Sequence, residues 1–223
     1  MPPEPTPTPV ITPERMSVER VERVNLPTGT AGTDATIDVM ARAACGIYGA
    51  GSAIVRNRAI QILRDAGIKE RDKRSEVSAI HAFVKKHLRY VSDPLWYEFV
   101  TFPETLLADR ADGDCDDHAV LESALLGAIG IPTRFVTYGF NGNPPSHVAL
   151  HALVGKKWIP LDPIVKDKPD GWEVPDYDSR TIYGVNSPTG YANTKFSFSG
   201  MTGFLFVGAA LWLLHRRASK KLL

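Results

Sequence analysis

From Ala119 to Ile129 the chain is apolar on nearly every side of a helix, and Gly130 and Pro132 then end it. A helix without a polar face cannot lie on a surface. It must run through the middle of a domain with other elements packed around it. A chain of 223 residues has room for one such centre and a tail, not for a second full domain. Directly before the helix stands Asp112-Gly-Asp-Cys-Asp-Asp-His118. Asp114 is the natural N-cap, and Cys115 falls in the first turn.

The flanking patterns say what surrounds this helix. Upstream, three stretches carry apolar residues at helical spacing. One runs from Asp34 as N-cap, with Ile37, Met40 and Ala44. One runs from about Ser52, with Val55, Ala59 and Ile62 and with Gly67 past its end. One is capped by Ser75, with Val77, Ile80, Val84 and Leu88. Pro103 opens a short helix to Ala108. Downstream the period switches to two, giving strands over 133–140, 147–153 and 156–162, with a turn-rich loop at Asn141–Ser146. The predicted fold is α+β: a helical N-terminal layer, a central Cys-bearing helix and a small antiparallel sheet.

The predicted organisation is an extended Pro-rich arm over 1–33 and a domain over 34–165, followed by an irregular wrapping segment over 166–195. A hydrophobic helix over 196–215 and a basic tail over 216–223 complete it. The arm opens with six prolines in thirteen residues, which favour polyproline conformation over helix or ladder. Phe196 to Leu214 are 19 residues without a charge, about 28 Å as a helix. That is just short of a bilayer's hydrocarbon thickness, so this stretch either contacts a membrane or packs in an assembly.

Charge and cysteine content exclude several classes. The net charge is +1, but four basic residues lie among the last eight, so the other 215 residues carry −3. A slightly acidic body lacks the basic footprint of a nucleic-acid binder. Two cysteines cannot make a disulfide scaffold. Cys45 sits among alanines and reads as a small buried hydrophobe. His81 and His87 read as packed or surface histidines. No N-terminal signal pattern is visible.

One constellation suits chemistry. With Val154-Gly155 as a two-residue turn, opposed residues place Leu153 against Lys156, His151 against Trp158 and His147 against Asp162. Opposed side chains stand about 5 Å apart at Cβ, so an imidazole and a carboxylate can bond there. Cys115 at a helix N-terminus meets unpaired amides and the positive dipole end, which favour thiolate. Cys115, His147 and Asp162 then fit a nucleophile, base and orienting acid as well as they fit a chance trio, and the Cys115 N–H is a candidate oxyanion donor. His151 shares a face with His147 and is the alternative base. Trp96, with Tyr97 and Phe102, is a candidate for the oxyanion side. The acids Asp112, Asp114, Asp116 and Asp117 oppose the thiolate. Their alternation suggests a calcium loop, but the twelfth position is Ser123 and the sixth is no glycine, so capping is preferred and no metal is expected.

Gly113-Asp-Cys-Asp-Asp-His-Ala119, then Leu125-Leu-Gly-Ala-Ile-Gly-Ile-Pro-Thr-Arg134, then His147 and Trp158-Ile-Pro-Leu-Asp-Pro163 resemble the transglutaminase-like (papain-related) cysteine peptidase superfamily over about 75–165. The resemblance implies Cys115 as nucleophile, His147 as base and Asp162 as orienting carboxylate. Two positions depart from it: Ala149 stands where an aromatic is usual and His151 where a Glu is. His87-Leu-Arg-Tyr-Val-Ser-Asp-Pro94 and Phe102-Pro-Glu-Thr-Leu-Leu107 narrow it to the tailed-bacteriophage or prophage type.

The resulting expectation is a thiol-dependent acyl-transfer enzyme without cofactor, acting on a peptide or protein amide. Hydrolysis is favoured over cross-linking by the resemblance. The other class is a virion tail or capsid-associated protein that keeps the fold without turnover. With it come virion partners, membrane contact through the C-terminal stretch, and a location in the virion or at the host membrane after synthesis in the host cytoplasm. Acetyl transfer on the same triad is disfavoured, since nothing suggests a coenzyme A site.

Overall fold

The computed structural model describes residues 20–24, 29–69, 71–94, 97–107, 111–187, 190–192 and 195–199. Its helices are α1 (Thr30–Cys45), α2 (Ala53–Asp65), α3 (Lys73–His87), α4 (Pro103–Leu106) and α5 (Cys115–Ala128). Its strands are β1 (Val21–Val24), β2 (Arg89–Tyr90), β3 (Glu98–Thr101), β4 (Asp112–Gly113), β5 (Thr133–Gly139), β6 (His147–Val154), β7 (Lys157–Leu161), β8 (Ser179–Ser187), β9 (Gly190–Ala192) and β10 (Phe196–Ser199). The architecture is α+β. Helix α5 lies between α1, α2 and α3 on one side and strands β5 and β6 on the other. Every residue from Asp116 to Ala128 is buried, as a helix without a polar face requires.

The helix starts show where local signals sufficed. Ser52 caps α2, its side chain accepting from the Ile54 N–H at 3.1 Å, and Asp114 caps α5. Helix α3 is capped by Asp72 rather than Ser75. The Asp72 carboxylate accepts the Ser75 N–H at 3.2 Å and the Ser75 hydroxyl at 2.6 Å, so the stronger acceptor begins the helix three residues earlier. Helix α1 starts four residues before the expected Asp34. That carboxylate instead takes Lys195 Nζ at 2.7 Å and the Tyr183 hydroxyl at 3.0 Å.

The main sheet runs β10-β8-β5-β6-β7, with β9 also on β8, and its pairs are antiparallel. One face, with Phe135, Leu150 and Ala152, joins the helical core. The other face, with Val136, Tyr138 and Ala149, is covered by Trp172 and Val174.

Several expectations need correction. The β6–β7 turn is Gly155-Lys156, with Gly155 at φ 62°, and Val154 faces Lys157. The pairing is therefore two residues away from the expected one, and His151 faces Pro160 instead of Trp158. A slip of one would have sent His147 and Asp162 to opposite faces. A slip of two keeps them on one face, as diagonal neighbours.

The segment 166–195 is not wholly irregular. Thr181, Ile182 and Tyr183 belong to β8, a central strand beside β5 whose β-branched and aromatic residues suit it to a sheet. The arm ends earlier than residue 33: β1 pairs with β3 and α1 follows. Phe196–Ser199, taken as the start of a hydrophobic helix, is strand β10 paired with β8. Its aromatic/Ser alternation has a period of two. Residues 1–19 and 200–223 lie outside the described residues. Among the described residues no helix is long and apolar enough to cross a membrane.

Candidate active site

A cleft of about 510 Å³ opens where α5 begins and β6 begins, and Cys115 and His147 both line it. Three local features bring them there. Gly113 lets the chain pass the Asp117 side chain, since a Cβ at that position would lie 2.5 Å from the Asp117 Cβ. Asp114 then turns the chain into α5, with its carboxylate accepting the Asp116 N–H at 3.2 Å. Asp117 ties the first turn of α5 to β3 by accepting the Thr101 N–H at 2.7 Å. On the sheet side, Val148 lines the cleft with Cys115, and its N–H is near enough to the sulfur to favour thiolate. The thiol thus shares the cleft with the strand end that carries His147.

His147 Nε2 and Asp162 Oδ2 are 2.8 Å apart, and Asp162 is 5% exposed. The Asp162 Oδ1 atom accepts the Ile164 N–H at 3.3 Å, which fixes the carboxylate in turn. The His147 ring lies nearly parallel to Tyr138, 24° between planes and 6.1 Å between centroids. Tyr138 donates its hydroxyl to Glu173, and Arg180 stands 3.4 Å from the same Glu173 oxygen. With Nε2 committed to Asp162, Nδ1 is the nitrogen left to exchange a proton.

The electrostatics differ from the expectation that a helix N-terminus yields thiolate. Burial, then the Asp114 charge and more weakly Glu98, push the Cys115 thiol up to about 12. The Val148 N–H pulls the other way without prevailing. At pH 7 Cys115 is therefore held as the protonated thiol. The acids around it feel the same field. Burial followed by Asp114 and Asp93 raises Glu98 to about 7, burial raises Asp117 to about 7, and burial raises Asp116 well above the carboxylate range. Cys45 is also pushed up by burial, to about 11, as a structural thiol would be.

The acidic ring is not the one the sequence suggested. Asp112 turns outward and forms a two-pronged pair with Arg89, at 2.8 and 2.5 Å. Glu98 and Asp93, from β3 and the segment before it, take its place at the cleft. No local signal marks those two, because only the folded chain brings them to Cys115. Asp114, Asp116 and Asp117 hold carboxylate oxygens within 4.8 Å of one another. Each of these carboxylates already accepts a backbone N–H: Asp114 from Asp116, Asp116 from Asp117 and Asp117 from Thr101.

The other candidates separate clearly. His151 is 2% exposed and does not line the cleft. It lies 3.2 Å from Arg134 and 3.6 Å from Glu173, and burial lowers its pKa. Trp96 lies outside the described residues. Tyr97 lines the cleft and is 46% exposed, whereas Phe102 packs edge-on against Tyr48. In the first turn of α5, the N–H groups of Asp116, Asp117 and His118 all have acceptors within the turn. This leaves the Cys115 N–H as the candidate oxyanion donor.

Residues 61–163 match the model of a family described as the transglutaminase-like superfamily. No curated protein matches the chain. Among solved structures, a candidate cysteine protease from Cytophaga hutchinsonii is similar at 25% identity over 67% of this chain and 53% of its own, with a TM-score of 0.39. A candidate protease from Parabacteroides distasonis is similar at 16% identity over 74% and 30%, with a TM-score of 0.42. LapG of Legionella pneumophila is similar at 15% identity over 71% and 88%, with a TM-score of 0.41. The chain thus spans about half the length of the first of these.

Proposed function

We propose that the protein is a cysteine hydrolase of peptide or amide bonds, with Cys115 as nucleophile, His147 as base and Asp162 as orienting acid. The observation that carries this reading is the arrangement at one strand end. His147 bonds Asp162 at 2.8 Å, and Cys115 lines the same cleft as His147 and its neighbour Val148. In the proposed reaction the Cys115 sulfur attacks the amide carbon while His147 Nδ1 takes the thiol proton. The developing oxyanion is met by the Cys115 N–H. Collapse breaks the C–N bond as His147 returns the proton to the leaving amine, leaving a thioester. Water, deprotonated by His147, then releases the acid and restores the thiol.

Because the resting thiol is protonated, proton removal accompanies attack, and His147 has to act within the bond-forming step. The match of residues 61–163 to the transglutaminase-like superfamily supports the same class of chemistry. The narrower affiliation with tailed phages, and with it virion partners, rests on the sequence stretches at 87–94, 102–107 and 113–117 alone.

The test is turnover of a pool of quenched-fluorescence peptides in ¹⁸O-water. Cleavage by wild type, with one ¹⁸O in each new carboxylate and none by Cys115→Ala, is the expected result. Cleavage that survives Cys115→Ala rejects the mechanism. Amide exchange with an added amine and no ¹⁸O uptake would reassign the enzyme to acyl transfer.

A further inference from the structure

A second cavity, of about 480 Å³, lies between α3 and residues 166–170 and shares no lining residue with the cleft at Cys115. Its wall carries four lysines, Lys85, Lys86, Lys166 and Lys168, against one acid, Asp170. That acid is already taken: Arg74 and the Ser78 hydroxyl both bond the same Asp170 oxygen. Two of the lysines are held in place by carbonyl oxygens, Lys85 by Lys168 O at 2.5 Å and Lys166 by Lys85 O and Leu88 O. Carbonyls fix an ammonium without cancelling its charge. Among the described residues no carboxylate pairs with Lys85, Lys86 or Lys166. The charge that remains is felt locally, since burial and then Lys85 hold Lys166 below its usual value.

A buried imidazole stands behind the lysines. His81, 4% exposed, lines the cavity and has Nδ1 2.9 Å from Glu122 Oε1 on α5. Burial alone would lower its pKa, but the charge and hydrogen bond of Glu122 raise it and favour the ring protonated on both nitrogens. Its Nε2 is buried without a hydrogen-bond partner among the described residues. No residue of α5 lines this cavity, and Nδ1 points to α5. His81 lines the cavity, so Nε2 is the ring nitrogen left to serve it. Lys168 is shared with Asp167 at 3.5 Å, and the other three ammonium groups have no carboxylate partner among the described residues; a buried donor lacking an acceptor beside them is an arrangement that an anion completes.

We propose that this cavity binds a phosphate-class oxyanion, carried on a small molecule as a phosphate ester, with His81 Nε2–H as the inner donor and the lysines as the outer ones. A phosphoryl group offers three acceptor oxygens and close to two charges, matching several point-charge donors better than a carboxylate's two oxygens do. The volume exceeds what a bare ion fills and falls within the range of small-molecule sites.

The test uses the full chain with ¹⁵N-histidine and follows the His81 Nε2 resonance, assigned with His81→Gln. Inorganic phosphate and then phenyl phosphate are added at constant ionic strength at pH 7. A saturable shift at His81, absent with chloride alone, is expected, and phenyl phosphate should bind at least as tightly as the inorganic ion. Lys86→Gln/Lys168→Gln alters two outer side chains and should weaken binding about tenfold or more. A shift that grows linearly without saturation, or an affinity unchanged in the double variant, overturns the site. Exclusion of phenyl phosphate overturns the ester.

Discussion

The protonated state of Cys115 makes a quantitative prediction about its reactivity. Burial and the acidic ring lift the thiol from 9.0 to about 12. At pH 8 a shift of that size lowers the thiolate population roughly a thousandfold. Each thiolate becomes more nucleophilic as its pKa rises, by about twentyfold over three units for a Brønsted slope near 0.45. The net expectation is reaction with a neutral disulfide reagent about 50-fold slower than that of a free cysteine. The decisive perturbation is Asp114→Asn, because asparagine caps a helix as well as aspartate and removes only the charge. One charge at a partly exposed site should move the thiol down by about one unit, raising the rate at pH 8 about threefold. The assay is release of the reagent's chromophore from a Cys45→Ala background between pH 6 and pH 10.5. Wild type should show a logarithmic rate rising with pH throughout, with no plateau. His147→Ala should leave that profile in place while abolishing turnover. A plateau at or below pH 8 in wild type would mean a preformed thiolate–imidazolium pair and would refute the reasoning.

Other expectations are narrower. Asp162→Asn, which removes the charge that orients His147, should lower turnover by about 10² or more while leaving the circular dichroism unchanged; full activity would exclude the proposed role. Glu98 and Asp117 are raised to about 7 from ordinary carboxylate values, so the folded state holds more protons than the unfolded one between about pH 4 and pH 7. Stability should therefore fall as pH rises through that window, and Glu98→Gln should flatten the fall in the thermal midpoint. Leu125→Ala, in the fully buried centre of α5, should cost about 2–5 kcal/mol in denaturant unfolding. Gly155→Ala, at φ 62°, should cost about 1 kcal/mol, since alanine at positive φ is strained.

Much of the site was legible because its signals are local. An apolar run too uniform for a surface placed α5 at the centre, and Asp114 marked its start by its own capping carboxylate. The pairing of His147 with Asp162 survived an error in the turn for a stated reason: the side-chain period of a strand is two, and the error was also two. Strand β8 escaped notice because its apolar residues are few and its neighbours are rich in Pro, Gly and Asp. Its place beside β5 depends on partners 40 to 53 residues away.

By itself, then, the sequence determined which residues open the central helix, which face of β6 carries His147, and that an acid on the next strand could reach it. These follow from capping chemistry and from periods of 3.6 and 2, which act within one or two turns of chain. Only the tertiary structure decided the protonation of Cys115. Its sulfur's depth, the nearness of the Val148 N–H and the arrival of Glu98 from β3 depend on segments that meet only when the core closes. Electrostatic energy follows distance and burial in space, and neither can be counted along the chain.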